Sequence, residues 1–165
     1  MEIYLMQHGQ AFSEEADPER SLTPEGERQI NKSGRALRKM GVVFDLIVTS
    51  PKKRARQTSE IVAKHLSYPA DDIEITEALQ PKSAAHDAIT FLKAYEGKKS
   101  VLVTGHLPSL GEIASALLAE GVSVPIHFEM GGVCRIDADL LQAGSGELIW
   151  YLVPDQLNLI AQPKR

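Results

Sequence analysis

The fold class that this sequence predicts is a three-layer α/β/α sandwich, with a mostly parallel central sheet and helices on both faces. Three observations carry it. Short continuous apolar runs at Ile3 to Met6, Leu46 to Val48 and Val101 to Val103 have the length and character of strands covered on both faces. Segments with apolar residues at helical spacing stand between them, so strand and helix alternate. The last third of the chain turns to strand patterns, which adds an antiparallel edge to the parallel sheet.

Taken in order, Ile3 to Met6 reads as a buried strand, and Gln7, His8 and Gly9 stand where it ends. Phe12 to Ser21 is polar and acidic, with Glu14, Glu15, Asp17 and Glu19 around Pro18, and reads as a surface loop. Thr23-Pro24-Glu25 supplies an N-cap, a proline at the first helical position and an acidic first turn. A helix is therefore predicted to about Met40, with Ile30, Leu37 and Met40 inward and Gly41 as its stop. A second strand lies within Val42 to Thr49. Ser50-Pro51 repeats the cap-then-proline pattern and opens a helix to about Leu66, with Ala55, Thr58, Val62 and Leu66 on one face. Arg54 then falls in the first turn of that helix, beside the carboxyl end of the strand.

Ile73 to Ile75 reads as a short strand, Glu77 to Ser83 as a loop, and Ala84 to Tyr95 as a third helix stopped by Gly97. Ser100 to Thr104 is the next buried strand and ends at Gly105-His106. A fourth helix follows with Pro108 near its start, an apolar face of Leu110, Ile113, Ala114, Leu117 and Leu118, and Gly121 at its close. Val124 to Met130, Val133 to Asp139 and Glu147 to Val153 read as strands, the last two turning through Gly144-Ser-Gly146. Pro154 to Arg165 reads as a C-terminal tail. No repeat, low-complexity tract or linker interrupts the chain, so residues 1–165 are expected to form a single domain.

Composition narrows the function. A hydrophobic fraction of 43% and a charged fraction of 24% are those of an ordinary globular protein. A net charge of -4 and a pI near 5.7 argue against a broad nucleic-acid-binding face. The single Cys134 allows no internal disulfide and no cysteine-based zinc site. No apolar run approaches a membrane span and no signal-peptide pattern opens the chain, so a cytoplasmic location is expected.

His8, Arg54 and His106 occupy equivalent places, each at or just past the carboxyl end of an apolar strand. Open α/β sheets bind ligands there, and if the three strands are neighbours the side chains converge. Helix N-termini nearby add free N–H groups and a favourable dipole for an anion. Two imidazoles and a guanidinium at such a place describe a site for a small polyanion, with phosphate the foremost candidate. A metal pair fits less well: no Asp or Glu immediately flanks either histidine, and Arg54 would repel a cation. His65, His86 and His127 read as surface or packing residues.

Four segments occur in order: Leu-Met-Gln-His-Gly-Gln-Ala at 5–11, Leu-Thr-Pro-Glu-Gly at 22–26, Thr-Ser-Pro-Lys-Lys-Arg-Ala-Arg-Gln-Thr at 49–58, and Val-Thr-Gly-His-Leu-Pro-Ser-Leu at 103–110. Together they resemble the histidine phosphatase superfamily, with its phosphoglycerate-mutase-like fold, and most closely its small SixA-type phosphohistidine phosphatase branch. The resemblance implies that His8 is the nucleophile, forming a phosphohistidine that water cleaves. It implies that Arg54 and His106 stabilise charge on the transferring group, that Gln7 and Gly9 line the phosphate site, and that Arg20 closes over it from the loop. It implies no cofactor and no metal. Nearby positive charge from Arg54 should keep His8 neutral, and a backbone carbonyl should fix its tautomer.

The chain departs from the family pattern at Gln7, where the signature has arginine. Gln offers two N–H donors but lacks the charge and the guanidinium fork, so weaker phosphate affinity with retained activity is expected. A second departure is the missing general acid: Glu77 is the nearest carboxylate to the presumed crevice, with a solvated loop residue as its other reading. A leaving imidazole departs more readily than an alkoxide, which favours a phosphohistidine substrate, as in a phosphotransfer protein of a signalling relay. Two alternatives stand beside this reading: a phosphomonoesterase of the same superfamily acting on a small metabolite, and a phosphate- or phosphoprotein-binding module left catalytically weak by Gln7.

Overall fold

The computed structural model describes residues 1–163. Its centre is one six-stranded sheet in the order β3-β2-β4-β1-β5-β6. The strands are β1 (Glu2–Gln7), β2 (Leu46–Thr49), β3 (Glu74–Ile75), β4 (Ser100–Gly105), β5 (Val133–Ala138) and β6 (Gly146–Leu152). The first four are mutually parallel, and β5 and β6 add the antiparallel edge. Five helices cover the two faces: α1 (Pro24–Lys39), α2 (Lys53–His65), α3 (Ala85–Lys93), α4 (Ser109–Leu118) and α5 (Pro154–Ala161).

The layering follows from the alternation of side chains along the strands. Ile3 and Leu5 of β1 join Ile89, Leu92, Ile113 and Leu117 on the face of α3 and α4. Tyr4 and Met6 point the other way and join Ile30, Leu37, Val62 and Leu157 on the face of α1, α2 and α5. The middle strands are buried on both faces and apolar through their centres, Leu46 to Val48 in β2 and Val101 to Val103 in β4. Thr23 caps α1 as its sequence predicts, its Oγ1 accepting from Gly26 N at 3.0 Å with Pro24 in the first turn.

Several expectations are corrected. Val124 to Met130 forms no strand: Pro125 removes a ladder donor, and the segment crosses over α4, where Ser115 Oγ accepts from Val124 N at 2.8 Å. Residues 154–161 of the expected tail form α5, which packs on α1 through Leu157 and Ala161, while residues 164 and 165 of that tail lie outside the described residues. Helix α2 starts at Lys53 without a side-chain cap, because Ser50 turns its hydroxyl toward His106. Met40 is exposed rather than inward, since α1 ends at Lys39 and Gly41 takes φ +75° to turn the chain away. The β5–β6 connection is longer than a tight hairpin, spanning 139–145. Among the described residues, no helix is long and apolar enough to cross a membrane.

Candidate active site

Strand register brings the site together. Met6, Thr104 and Thr49 are level across three neighbouring parallel strands, and Gln7 is level with Gly105 in the next row. His8 and His106 stand one residue further, side by side at the carboxyl edge, and Ser50 leaves β2 beside them. Backbone hydrogen bonds extend the ladder past the strand ends, from His8 N to Gly105 O at 3.1 Å and from Ser50 N to Thr104 O at 3.1 Å. The expected convergence of His8, Arg54 and His106 is present: the imidazole centroids are 5.0 Å apart, and Arg54 Nε donates to His8 Nε2 at 3.2 Å.

The protonation state of His8 follows from its partners. Nδ1 lies 2.7 Å from Gly9 O, so it carries the hydrogen and donates. Nε2, facing a guanidinium donor, presents its lone pair. Burial is the main reason that the His8 pKa is held down to about 4, with the charges of Arg54 and Arg20 acting in the same direction against the Gly9 bond. The expected lowering by the Arg54 charge is therefore present, but burial, which the sequence does not show, is the larger cause. His106 is lower still, at about 3, by burial first and then by His8, Arg54, Lys52 and Arg20. Arg54 is itself shifted down by burial and by Arg20.

The turn that carries His8 needs its glycines. Gly9 N donates to Thr58 Oγ1 at 3.1 Å, and Thr58 in turn donates to Arg54 O at 2.7 Å, which ties the turn to the first turns of α2. A Cβ on Gly9 would meet Ile30 Cγ1 at 2.7 Å, and one on Gly26 would collide with the Gln10 carbonyl. The Leu-Thr-Pro-Glu-Gly segment thus lets α1 press on the backbone that follows the histidine.

Gln7 ends β1 with both backbone groups clamped, N to Gly132 O at 3.3 Å and O from Gly131 N at 3.0 Å. Its Oε1, His106 Nδ1 and Ser109 Oγ are buried without hydrogen-bond partners, three of the four such side-chain atoms among the described residues. Unpaired buried polar atoms are rare, and their concentration at one end of the sheet marks a place made for a polar ligand. Arg20 is exposed on the preceding loop in the left-handed region, φ 51°, with Nε donating to Phe12 O at 3.4 Å. That loop is shaped by Asp17, which accepts from Ser21 N and Glu19 N, and is tied to α2 by Lys53 and Glu19 at 2.6 Å. Its acidic residues therefore serve its own geometry in part.

Glu77 lies in a short 3-10 turn (Glu77–Leu79), exposed, with its carboxylate hydrogen-bonded by Gln80. The turn approaches the crevice, for Leu79 O is 3.6 Å from the place of a Cβ on Gly105, but Glu77 makes no hydrogen bond or ion pair with the histidines or Arg54. His65 bonds Asn31 Oδ1 at 2.8 Å, His86 sits 3.4 Å from Thr90 Oγ1, and His127 is exposed beside Glu129, so all three lie outside the site. No cluster of three or more His, Cys, Asp or Glu suited to a metal ion occurs among the described residues. Cys134 is buried in β5. The sequence pattern does not reveal the place of Ser50, which reads as a helix cap, or the bridging role of Thr58. Both lie inside the quoted 49–58 segment, whose polar residues a helical-face reading does not explain.

Two concavities flank the pair. One of about 590 Å³ runs along α4 from Leu107 and Pro108, and one of about 530 Å³ lies between Glu19 and the start of α2; neither is lined by His8, Arg54 or His106. His8 and Arg54 are each 8% exposed and His106 2%, so the three side chains are reached only through a narrow opening.

Residues 3–84 match the description of the histidine phosphatase superfamily (branch 1). Over 145 residues the chain is 34% identical to the phosphohistidine phosphatase SixA homolog of Haemophilus influenzae, covering 82% of this chain and 87% of that one. Over 162 residues it is 30% identical to phosphohistidine phosphatase SixA of Escherichia coli, covering 96% and 98%. A solved structure of the protein histidine phosphatase SixA complexed with tungstate superposes with a TM-score of 0.84 at 30% identity, over 95% of this chain and 99% of that one.

Proposed function

The chain belongs to the histidine phosphatase superfamily, and on that premise we propose that it is a SixA-type phosphohistidine phosphatase working through a phosphorylated His8. One observation carries the reading: a neutral, oriented imidazole whose unprotonated Nε2 accepts from a guanidinium stands beside a second imidazole at the carboxyl ends of three adjacent strands. In the first step His8 Nε2 attacks phosphorus. The substrate's P–N bond breaks, and its imidazole leaves with the electron pair and takes a proton from solvent. In the second step water attacks the phosphorus of phospho-His8, the P–N bond to His8 breaks, and orthophosphate leaves.

The electrostatics suit this sequence. A histidine with a pKa near 4 is neutral at pH 7, so its lone pair is available without a deprotonation step. Arg54 Nε, which bonds that lone pair in the free protein, turns to the equatorial oxygens when phosphorus takes its place, and His106 and the Gly9 turn complete the cradle. Arg20 adds positive charge from the loop. Gln7 supplies a neutral amide where the family signature has a charged fork, which weakens phosphate binding while keeping an N–H donor.

The substrate is a phosphoryl group presented from outside, carried on a histidine of a phosphotransfer protein. The support is twofold: Glu77 is held by Gln80 instead of reaching a leaving group, and the similar proteins from two bacteria are phosphohistidine phosphatases. The test is phosphate release from a histidine-phosphorylated phosphotransfer protein and from p-nitrophenyl phosphate, by wild type and His8→Ala, without added metal. Wild type should prefer the phosphoprotein, and His8→Ala should lose activity by on the order of a thousandfold or more while keeping its fold. Turnover that survives in His8→Ala refutes the nucleophile. A preference for small phosphate esters transfers the assignment to a metabolite phosphatase.

A further inference from the structure

We propose that Ser50 is a positioning residue that fixes the tautomer of His106: its hydroxyl donates to His106 Nε2, which keeps the ring's hydrogen on Nδ1 for a phosphoryl oxygen. The second half of that statement rests on the phosphatase reading; the tautomer does not. Ser50 is fully buried, with no exposed surface, and leaves β2 at the level where β4 delivers His106. Its Oγ has two polar neighbours among the described residues, Lys52 N at 3.3 Å and His106 Nε2 at 2.8 Å. The Lys52 N–H can only donate. The serine hydrogen therefore has one acceptor within reach, the Nε2 lone pair, and the ring hydrogen must sit on Nδ1.

The opposite arrangement fails twice. If Nε2–H donated to Ser50, the hydroxyl hydrogen would be buried without an acceptor, which is costly in a dry site. Nδ1 would then offer a lone pair, which repels an oxyanion. With Ser50 donating, Nδ1 becomes a neutral N–H donor, and it is the ring nitrogen left without a protein partner. An unpaired buried donor beside the nucleophile is the complement of a phosphoryl oxygen.

The two imidazoles then carry the same tautomer for opposite purposes. His8 commits its Nδ1–H to Gly9 O and presents the Nε2 lone pair to phosphorus. His106 commits its Nε2 lone pair to Ser50 and presents the Nδ1–H. Their separate locks allow two rings with centroids 5.0 Å apart to act as a nucleophile and a donor without either becoming charged. The surrounding His8, Arg54, Lys52 and Arg20 all disfavour a charged His106.

Nitrogen-15 NMR of the full chain at neutral pH, with His106 assigned by its absence in His106→Asn, reads the tautomer directly. Wild type should show a protonated, pyrrole-type Nδ1 and a pyridine-type Nε2. Ser50→Ala should move the hydrogen wholly or partly to Nε2 and lower kcat by about three- to tenfold, the scale of one neutral hydrogen bond. Ser50→Thr, which retains the hydroxyl, should restore the wild-type signature. A wild-type His106 protonated on Nε2 overturns the proposal, and does so even if the serine variants fail to fold. So does a Ser50→Ala protein with an unchanged tautomer. A wild type with the expected tautomer but no phosphohistidine turnover leaves the Ser50 lock standing and removes the phosphatase reading instead.

Discussion

The crevice at the carboxyl ends of β1, β2 and β4 and the layer formed by β5, β6 and α5 share one sheet but answer to different physics. The crevice holds polar atoms that burial leaves unpaired and two histidines forced well below their ordinary pKa. Among the described residues, no buried polar side-chain atom of the C-terminal layer lacks a partner: Leu157 is fully buried against α1, Trp150 meets Tyr4 edge-on with centroids 5.6 Å apart, and Arg135 bonds both Asp137 and Glu2 at 2.8–2.9 Å. One region stores unfavourable electrostatics for use on a ligand, and the other supplies the packing that tolerates it. Variants in the two should separate activity from stability.

The largest expected effect is in the crevice. Arg54→Ala removes a fixed charged donor from the transferring group and should lower kcat/KM on the phosphohistidine protein by about 10²- to 10³-fold. Its unfolding midpoint in urea should stay close to that of the wild type, because Arg54 pairs with no carboxylate among the described residues. A comparable loss of stability would break the comparison. The reverse holds for Leu157→Ala, which opens a cavity between α5 and α1 and should reduce unfolding free energy by about 3 kcal/mol. Turnover by the remaining folded protein should be unchanged. Loss of kcat in that variant would show that α5 positions the site through α1.

A pH series sharpens the same contrast. The folded pKa of His8 is about 4 and that of His106 about 3, against an ordinary value of 6.5. As pH falls through about 6.5 the unfolded chain takes up protons that the folded crevice refuses, so stability is full above that value and declines toward pH 4. From pH 7 to pH 5 the loss should be on the order of 2 kcal/mol for His8 alone. Urea midpoints across that range should fall more steeply for wild type than for His8→Gln. Leu157→Ala should run parallel to wild type, displaced by a constant amount.

The same division decides what could be read from the sequence. Buried parallel strands announce themselves as apolar runs, and three of them, each ending in a chemically distinctive residue, were enough to place His8, Arg54 and His106 together. The C-terminal layer was harder because its order is tertiary. A helix as short as α5 is marginal by itself and forms against α1, although Pro154, Asp155 and the Leu157–Ala161 spacing were its local signals. Val124, Ile126 and Phe128 alternate like a strand, yet Pro125 interrupts the donors a ladder needs and the segment is not a strand. Ser50 misled by chemistry, not by pattern: a serine before a proline is a good helix cap, and only the β2–β4 register shows that its hydroxyl has a better partner.

Gln7→Arg carries the smallest effect and tests the crevice most finely. The backbone of Gln7 is clamped by Gly131 and Gly132, so a longer side chain must extend from the same origin toward the phosphate site. Replacing a neutral donor by a charge-assisted one there should raise kcat/KM by about ten- to thirtyfold, the kinetic equivalent of roughly 1–2 kcal/mol. The same change adds a cation beside Arg54 and Arg20 in the absence of substrate, so it should lower stability and deepen the acid sensitivity of the two histidines. A gain in rate with a loss of stability would show that Gln7 relaxes a crowded positive site at the expense of transition-state binding. Turnover appearing only in Gln7→Arg, with wild type binding phosphate and never forming phospho-His8, would identify the natural chain as a phosphoprotein reader. An unchanged rate would mean that Arg20 already supplies from the loop the charge that the strand end lacks, and Arg20→Ala would then carry the larger defect.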